Sequence, residues 1–246
     1  MQWDDEGIVL AARAHGERAL VVQVLTREHG RHAGLLRGGQ APKIRAHWQI
    51  GNRLAVTWRA RLAEHLGFIS GEVVAAHAAR LLEHPLRLGA LASATALAAS
   101  ALPEREPHPR AYRGLLHLIE ALGADDRWAI AYVEWEIALL EELGFGLDLS
   151  ACAATGETEN LIFVSPRSGQ AVSAAAGAPY RERMLPLPGF LRGATARPAP
   201  QDVLDGLRLA GFFLEQRVFA PHQHKLPAAR SRYVDALAKV FAIPTS

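Results

Sequence analysis

Seven cationic side chains that could bind phosphate lie close together in the first quarter of this 246-residue chain. They are Arg31, Arg37, Lys43, Arg45, Arg53, Arg59 and Arg61, with Trp48 and Trp58 among them. Such cations neutralise the phosphates of a nucleic acid with release of counterions, and aromatic rings can stack on unpaired bases. The segment therefore predicts a nucleic-acid-binding surface. A solvated β-surface with both tryptophans in the core explains the same spacing equally well.

A loop opened by Gly38 and Gly39 carries three of these cations, Arg37, Lys43 and Arg45. Glycines let backbone amides approach a phosphate closely, so this loop is the more specific candidate for phosphate binding. The alternative is a long, mobile loop between two strands. The charge balance also favours an N-terminal site, since residues 1–80 hold 11 Lys and Arg against 7 Asp and Glu, and residues 81–246 hold 16 against 18.

No catalytic or nucleotide-binding motif accompanies the cations. The sequence lacks a P-loop, a dinucleotide-type glycine cluster and a Gly-x-Ser-x-Gly elbow, so we expect a protein that is not an enzyme. Four glutamates of one predicted helix lack the Glu-x-x-His partners of a di-metal site, which predicts solvated or helix-end charges. They are Glu134, Glu136, Glu141 and Glu142. The pairs His29/His32 and His222/His224 lack a third ligand, so we expect no metal there.

The composition indicates a soluble, cytoplasmic protein. Half of the residues are hydrophobic and 21% are charged, as in ordinary globular proteins. One cysteine, Cys152, excludes an intramolecular disulfide and fits a reducing compartment. Acidic residues near the N-terminus do not fit a secretory signal, and no apolar run is long enough to span a membrane.

Short β-type runs in residues 1–76 predict five strands. Apolar and β-branched runs bounded by turn residues favour strands at Glu6–Arg13, Glu17–Thr26, Arg31–Arg37, Asn52–Arg59 and Leu66–Val74. Five such strands in so short a segment suggest a closed barrel, because closure removes exposed edges. We therefore predict an OB-fold domain over residues 1–76.

Residues 77–246 predict a helical domain, which makes the fold class α+β. Helical periodicity favours helices within Ala75–Leu102, Arg110–Leu122, Trp128–Leu143, Gln201–Phe219 and Ala228–Phe241. The three prolines of Pro103–Pro109 predict a linker, and Arg192–Pro200 predicts a second, flexible one. Between them, residues 150–178 break the helical pattern and predict a small hairpin-like insert.

With these elements placed, the sequence resembles the RecO family of bacterial recombination mediators over nearly its full length. The resemblance is carried in the barrel region by residues 5–10 (DEGIVL), Gly16-Glu17, residues 25–31 (LTREHGR), residues 36–39 (LRGG) and residues 58–61 (WRAR). In the second half it is carried by residues 136–149 (EIALLEELGFGLDL). Each motif is short and none is catalytic, but their order and combination are fairly specific.

The resemblance implies an N-terminal OB-fold, a C-terminal helical domain and no enzymatic activity. It implies binding to single- and double-stranded DNA and annealing of strands coated with single-strand-binding protein. With the partner RecR, it implies loading of RecA at gaps in DNA. It also implies a cytoplasmic, nucleoid-associated protein that needs no cofactor. A pocket for the acidic, apolar tail of the single-strand-binding protein is expected at Lys225 and Arg230. An OB-fold RNA-binding protein or a non-enzymatic adaptor remains the alternative.

One departure from the family concerns zinc. Many relatives carry two Cys-x-x-Cys pairs in the insert, a spacing suited to tetrahedral thiolate ligation. Here the corresponding segments read Cys152-Ala153-Ala154-Thr155 and Ser173-Ala174-Ala175-Ala176, so only Cys152 remains of the four ligands. We therefore predict a degenerate, metal-free, zinc-ribbon-like insert held by apolar residues such as Leu161, Phe163 and Val164.

Overall fold

The computed structural model describes residues 1–124, 126–194 and 198–242. Its N-terminal strands are β1 (Gln2–His15), β2 (Ala19–Thr26), β3 (Arg31–Leu36), β4 (Arg53–Arg59) and β5 (Phe68–Ala75). They close into a barrel in the order β1-β2-β3-β5-β4. This confirms the predicted α+β class with an N-terminal five-stranded barrel, and the closed barrel is consistent with an OB-fold.

One long strand, β1, closes the barrel by pairing on both sides. Its first half runs antiparallel to β4, from Gln2 opposite Arg59 to Ile8 opposite Arg53. Its second half runs antiparallel to β2, with a bulge between Val9 and Ala11. Bulges bend a strand and increase its twist, which lets one strand serve two neighbours around a small barrel.

Both tryptophans of the cationic segment lie in the barrel core. Trp48 and Trp58 are each 2% exposed, and they pack with Val24, Leu54 and Val56. The indole Nε1 of Trp58 donates to the carbonyl oxygens of two further residues, one of them Ala33 at 3.1 Å. The hypothesis that these rings stack on unpaired bases is therefore wrong, and the core interpretation is correct. Along β4, Leu54, Val56 and Trp58 are buried and alternate with more exposed residues, as expected for a strand with one face toward the core.

The cationic loop after β3 contains a short helix, α1 (Pro42–His47). Gly38 has a φ of +66°, in the left-handed region, and turns the chain out of β3. The buried Asn52 side chain donates to the carbonyls of Ala46 and His47 and accepts from the backbone N–H of Ala78 at 3.1 Å. The loop is thus partly helical, and the hydrogen bonds of Asn52 tie its far end to β4 and to residue 78.

A polar network holds the turn between β2 and β3. The Asp5 carboxylate accepts from the backbone N–H of Glu28 at 2.8 Å and lies 3.0 Å from Nδ1 of His29. The buried Thr26 hydroxyl donates to the carbonyl of Gly30 and accepts from the N–H of His29. Burial alone would raise the pKa of Asp5, but these hydrogen bonds outweigh it and lower the pKa below its usual value.

Three helices belong to the same compact unit as the barrel. They are α2 (His77–Arg80), α3 (Pro85–Ala101) and α4 (Pro109–Ala124), so the predicted helical segment 75–102 is interrupted before Pro85. The unit comprises Met1–Asp126 together with Pro227–Tyr233. The two compact units therefore do not divide near residue 76, where strands give way to helices. The domain boundary between residues 76 and 77 stays a prediction.

The second unit comprises Arg127–Leu226 and Val234–Ser246. It contains α5 (Trp128–Glu142), the three-stranded sheet β7-β6-β8, the short α6 (Ala174–Gly177) and α7 (Pro200–Phe213). The sheet strands are β6 (Leu161–Val164), β7 (Ala171–Ser173) and β8 (Leu185–Pro186). A π-helix, Leu214–Phe219, continues α7, and α8 (Ala228–Phe241) ends the described chain. The predicted linker 192–200 includes residues 195–197, which lie outside the described residues.

One prediction about α5, which packs against α7, is wrong. Glu136 was expected to be solvated, but it is fully buried on α5, where the Tyr132 hydroxyl donates to its Oε1 at 3.0 Å. Gly206 of α7 allows close approach, because a Cβ there would lie 2.7 Å from Cγ1 of Val133. Within the described residues, no helix has the length and apolar character needed to cross a membrane.

Removing the Asp5 carboxylate should destabilise the barrel. Asp5→Ala leaves the backbone N–H groups of Glu6 and Glu28 and the Nδ1 of His29 without the carboxylate that they contact. We therefore expect the free energy of unfolding at neutral pH to fall by about 1–3 kcal/mol. Because the folded pKa is lowered, this stabilisation is present above about pH 4 and is lost as the pH falls through the folded pKa. Urea unfolding of wild type and variant across this pH range measures it.

The control is Glu17→Ala, which removes an exposed carboxylate from the neighbouring turn. It should change the free energy of unfolding by no more than about 0.5 kcal/mol. The free energies of unfolding of wild type and Asp5→Ala should converge at acidic pH. If their difference stays constant from neutral to acidic pH, the effect does not come from the ionised carboxylate.

Candidate nucleic-acid interface

The seven predicted cations differ in exposure. Five are exposed to solvent, namely Arg37, Lys43, Arg45, Arg59 and Arg61, and the other two, Arg31 and Arg53, are half-buried. Arg59 ends β4, Arg37 and Arg61 lie in loops, and Lys43 and Arg45 lie on α1, whereas Arg31 and Arg53 begin β3 and β4. Only exposed guanidinium and ammonium groups can contact a phosphate without first breaking an internal contact.

Three of the exposed arginines surround one cleft at an end of the barrel. Arg37, Arg59 and Arg61 line it together with apolar side chains that include Leu66 and Phe68, and its volume is about 600 Å³. The strand register explains the convergence, because Phe68 pairs with Arg59 on one side and with Leu35 on the other. The structure thus brings three of the seven predicted cations together around apolar side chains.

Within the cleft, Arg37 lies over the ring of Phe68. Its Cζ atom is 4.1 Å from the ring centroid, which is cation–π geometry. Arg37 directly follows β3 and Phe68 begins β5, so the pairing of these two strands places the two side chains together. A guanidinium held in this way presents positive charge with less loss of side-chain entropy than a free arginine would suffer.

Arg31 and Arg53 are engaged in the fold. The Nε of Arg31 donates to the carbonyl of Leu102 at 2.9 Å, and the Arg31 carbonyl accepts from the N–H of Arg105 at 2.8 Å. Arg53 lies 3.7 Å from a carboxylate oxygen of Glu6, at the opposite end of β4 from Arg59. Neither arginine lines the cleft.

Lys43 and Arg45 form a second exposed group on α1. Arg45 lines a separate hollow of about 390 Å³ with Trp48 and Leu82, whereas Lys43 is exposed in the first turn. Gly39, before the helix, is buried, and a Cβ there would lie 2.9 Å from Cγ of Leu20. The second glycine of the pair therefore serves packing within the barrel.

Sequence reasoning missed Arg105, in the segment predicted to be a linker. The segment instead lies along the barrel, where Glu104 forms a parallel bridge with Arg31. Arg105 has a φ of +64°, unusual for a residue other than glycine, and its Nη2 donates to the carbonyls of Glu64 and His65. No local pattern signals such a contact, because the bonded residues are about 40 positions apart.

The four positions of the implied zinc site do converge in the insert. The Cys152 sulfur accepts from the backbone N–H of Ser173 at 3.2 Å, and the Ser173 hydroxyl accepts from the N–H of Ala176. A hydrogen bond from the Thr155 side chain, then those from Ser173, lower the pKa of Cys152 to about 6. One thiol, two hydroxyls and a methyl group do not fit tetrahedral zinc. Among the described residues, no cluster of three or more His, Cys, Asp or Glu side chains could hold a metal.

The two residues predicted for the partner tail differ. Lys225 is exposed, whereas Arg230 is only 6% exposed and so does not present its guanidinium at the surface. They also belong to different compact units. Among the aromatic residues of the preceding helical segment, Phe213 and Phe219 are buried and Phe212 is half-buried. The burial of Arg230 therefore does not support its predicted contact with the partner's tail.

A closed five-stranded barrel with a cationic cleft, followed by helices, defines an α+β protein of OB-fold type. Family models described as Recombination protein O N terminal and Recombination protein O C terminal match residues 1–77 and 82–226. The chain is 54% identical over 241 residues to the DNA repair protein RecO of Rhodospirillum centenum, covering 97% of this chain and 96% of the relative.

Two further relatives carry the same name. Identity is 50% over 245 residues with the protein of Rhodospirillum rubrum, covering 97% of each chain, and 46% over 240 residues with that of a Ruegeria species, covering 97% of this chain and 99% of the relative. The chain therefore belongs to the RecO family, and its role lies in DNA repair. The resemblance seen in the sequence is confirmed.

Proposed function

We propose that this chain is a non-enzymatic recombination mediator that binds single- and double-stranded DNA through its exposed cations. It anneals complementary strands coated with single-strand-binding protein and, with RecR, promotes RecA loading on gapped DNA. The observation that carries the DNA-binding step is the convergence of Arg37, Arg59 and Arg61 around one cleft. Arg31 and Arg53 are left out of this surface because they are engaged in the fold.

Annealing on such a surface is an electrostatic process. Two phosphate backbones repel each other, and cations that neutralise both lower the work of bringing the strands together. Arg37, Arg59 and Arg61 form one cationic group and Lys43 and Arg45 form another, so the barrel offers more than one place for a backbone. Such a mechanism makes and breaks no covalent bond, and it needs neither a nucleotide nor a metal.

Replacing the cleft arginines should reduce the salt dependence of DNA binding. For Arg37→Ala, Arg59→Ala and Arg61→Ala combined, the slope of log K against log salt should become shallower by about 2, at roughly 0.7 per phosphate contact on a single strand. Annealing of precoated complementary oligonucleotides should slow in parallel. Fluorescence anisotropy over a salt series, with wild type alongside, measures the binding.

A matched control replaces Arg13, Arg18 and Arg27 with Ala, removing three exposed arginines of the same unit that do not line the cleft. Its slope should stay close to that of wild type. Equal slopes for wild type and the cleft variant would refute the assignment. Preference for RNA over matched DNA would favour the RNA-binding alternative. Absence of salt-dependent DNA binding would favour the adaptor alternative.

We also propose that Lys225 contacts the acidic, apolar tail of the single-strand-binding protein. Its ammonium group is exposed on the second unit. A tail peptide should bind Lys225→Ala about two- to fivefold more weakly than wild type, as expected for one exposed ion pair. Lys239→Ala, which removes an exposed cation of α8, is the control. Equal peptide affinity of both variants would exclude Lys225 as a contact.

The insert, we propose, is stable without zinc because hydrogen bonds at Cys152 and Ser173 replace metal ligation. Wild-type protein should contain no stoichiometric zinc by elemental analysis. Changing Thr155, Ser173 and Ala176 together to Cys should create a site for one zinc, since four thiolates then converge. The control is the double change Thr155→Ser with Ala176→Ser, which keeps Ser173. Stoichiometric zinc in the wild type, or none in the cysteine variant, would contradict this proposal.

A further inference from the structure

One wall of the cleft is a braced loop. The loop between β4 and β5 presents four consecutive carbonyl oxygens, of residues 64–67, that all accept hydrogen bonds from elsewhere in the same unit. The donors are Arg105 for the first two, the Trp58 indole for the third and the Leu35 N–H for the fourth. The loop is thereby fixed to the barrel wall along its second half.

This braced loop displays an apolar side chain to solvent. Leu66 is 41% exposed, although its carbonyl oxygen is bonded to Trp58 Nε1 at 3.0 Å. Gly67 permits the arrangement, because it has a φ of +67° and a Cβ there would lie 2.6 Å from the Trp58 ring. Leu66 thus lines the same cleft as the Arg37–Phe68 pair, on a backbone that is fixed by these hydrogen bonds.

The cleft combines an apolar floor with cations at its rim. Leu35, Leu66 and Phe68 supply the apolar surface, and Arg37, Arg59 and Arg61 supply the charge. A flat, apolar face beside an anion is the chemistry of one nucleotide whose base is unpaired. The volume of about 600 Å³ falls in the range of roughly 300–1,000 Å³ typical of small-ligand sites.

We propose that this cleft binds one unpaired DNA base, which packs against Leu66 and the Arg37–Phe68 pair while Arg59 and Arg61 hold the adjoining phosphates. The inference rests on the proposed DNA binding and adds the means by which the barrel distinguishes single strands. A base within a duplex has both faces stacked and cannot enter a concave site, so duplex DNA would use the cations alone. Arg105 acts as a positioning residue, because it holds the loop that carries Leu66.

The test compares strands with and without bases. A thymidine oligonucleotide and one of equal length with abasic sites present the same phosphates, so their affinity ratio reports base contacts. For wild type, base stacking predicts that the abasic strand binds more weakly by about tenfold or more. In Leu66→Ser, that ratio should shrink several-fold, while duplex affinity and the salt slope remain those of wild type.

Leu62→Ser is the matched control, because Leu62 is an exposed leucine of the same loop, 47% exposed, that does not line the cleft. It should keep the wild-type ratio. Equal affinity of wild type for both strands, or an unchanged ratio in Leu66→Ser, would overturn the base site even where salt-dependent binding persists. Loss of salt-dependent binding in the wild type would instead refute the proposed function itself.

Arg105→Ala tests the positioning role. It should reduce the ratio of thymidine-strand to abasic-strand affinity as Leu66→Ser does, because the Glu64 and His65 carbonyls lose their donor. A salt slope equal to that of wild type would show that Arg105 does not itself bind phosphate. A wild-type affinity ratio in a folded Arg105→Ala protein would exclude the positioning role.

Discussion

Pairing of β1 with both β4 and β2 is the interaction on which the rest of the first unit depends. It closes the barrel, and closure fixes which strand ends become neighbours. The end of β4, the start of β5 and the end of β3 meet at one place, where Arg59, Phe68 and Arg37 follow from the register. The cleft therefore depends on the pairing of β5 with β3 and β4 within the barrel and not on a local motif.

Hydrogen bonds to backbone carbonyls give this barrel end its shape. The segment after α3 runs beside β3, where Arg31 bonds to the Leu102 carbonyl and Arg105 bonds to the β4–β5 loop. An arginine with a positive φ costs backbone energy, which the surrounding contacts must offset. Arg31, which the sequence predicted as a phosphate ligand, and Arg105, which it did not single out, thus help to build the surface on which other arginines are displayed.

In the insert, hydrogen bonds and apolar packing surround Cys152. Cys152 and Ser173 still meet, as ligand positions would, but a backbone N–H and hydroxyl groups make the contacts. Buried apolar residues, Leu161 and Val164, complete the small sheet, whereas Phe163 is half-buried against Gly177.

The sequence by itself determined the five strands, the helical second half, the cationic segment and the family, because periodicity and turn residues are local properties. It could not decide which cations are displayed, since Arg31 is held by a residue 71 positions away. The sequence also did not establish that Trp48, Trp58 and Glu136 are buried. Nor did it predict that Arg105 bonds to the loop between β4 and β5. Those outcomes depend on contacts between distant residues, and only the tertiary structure sets them.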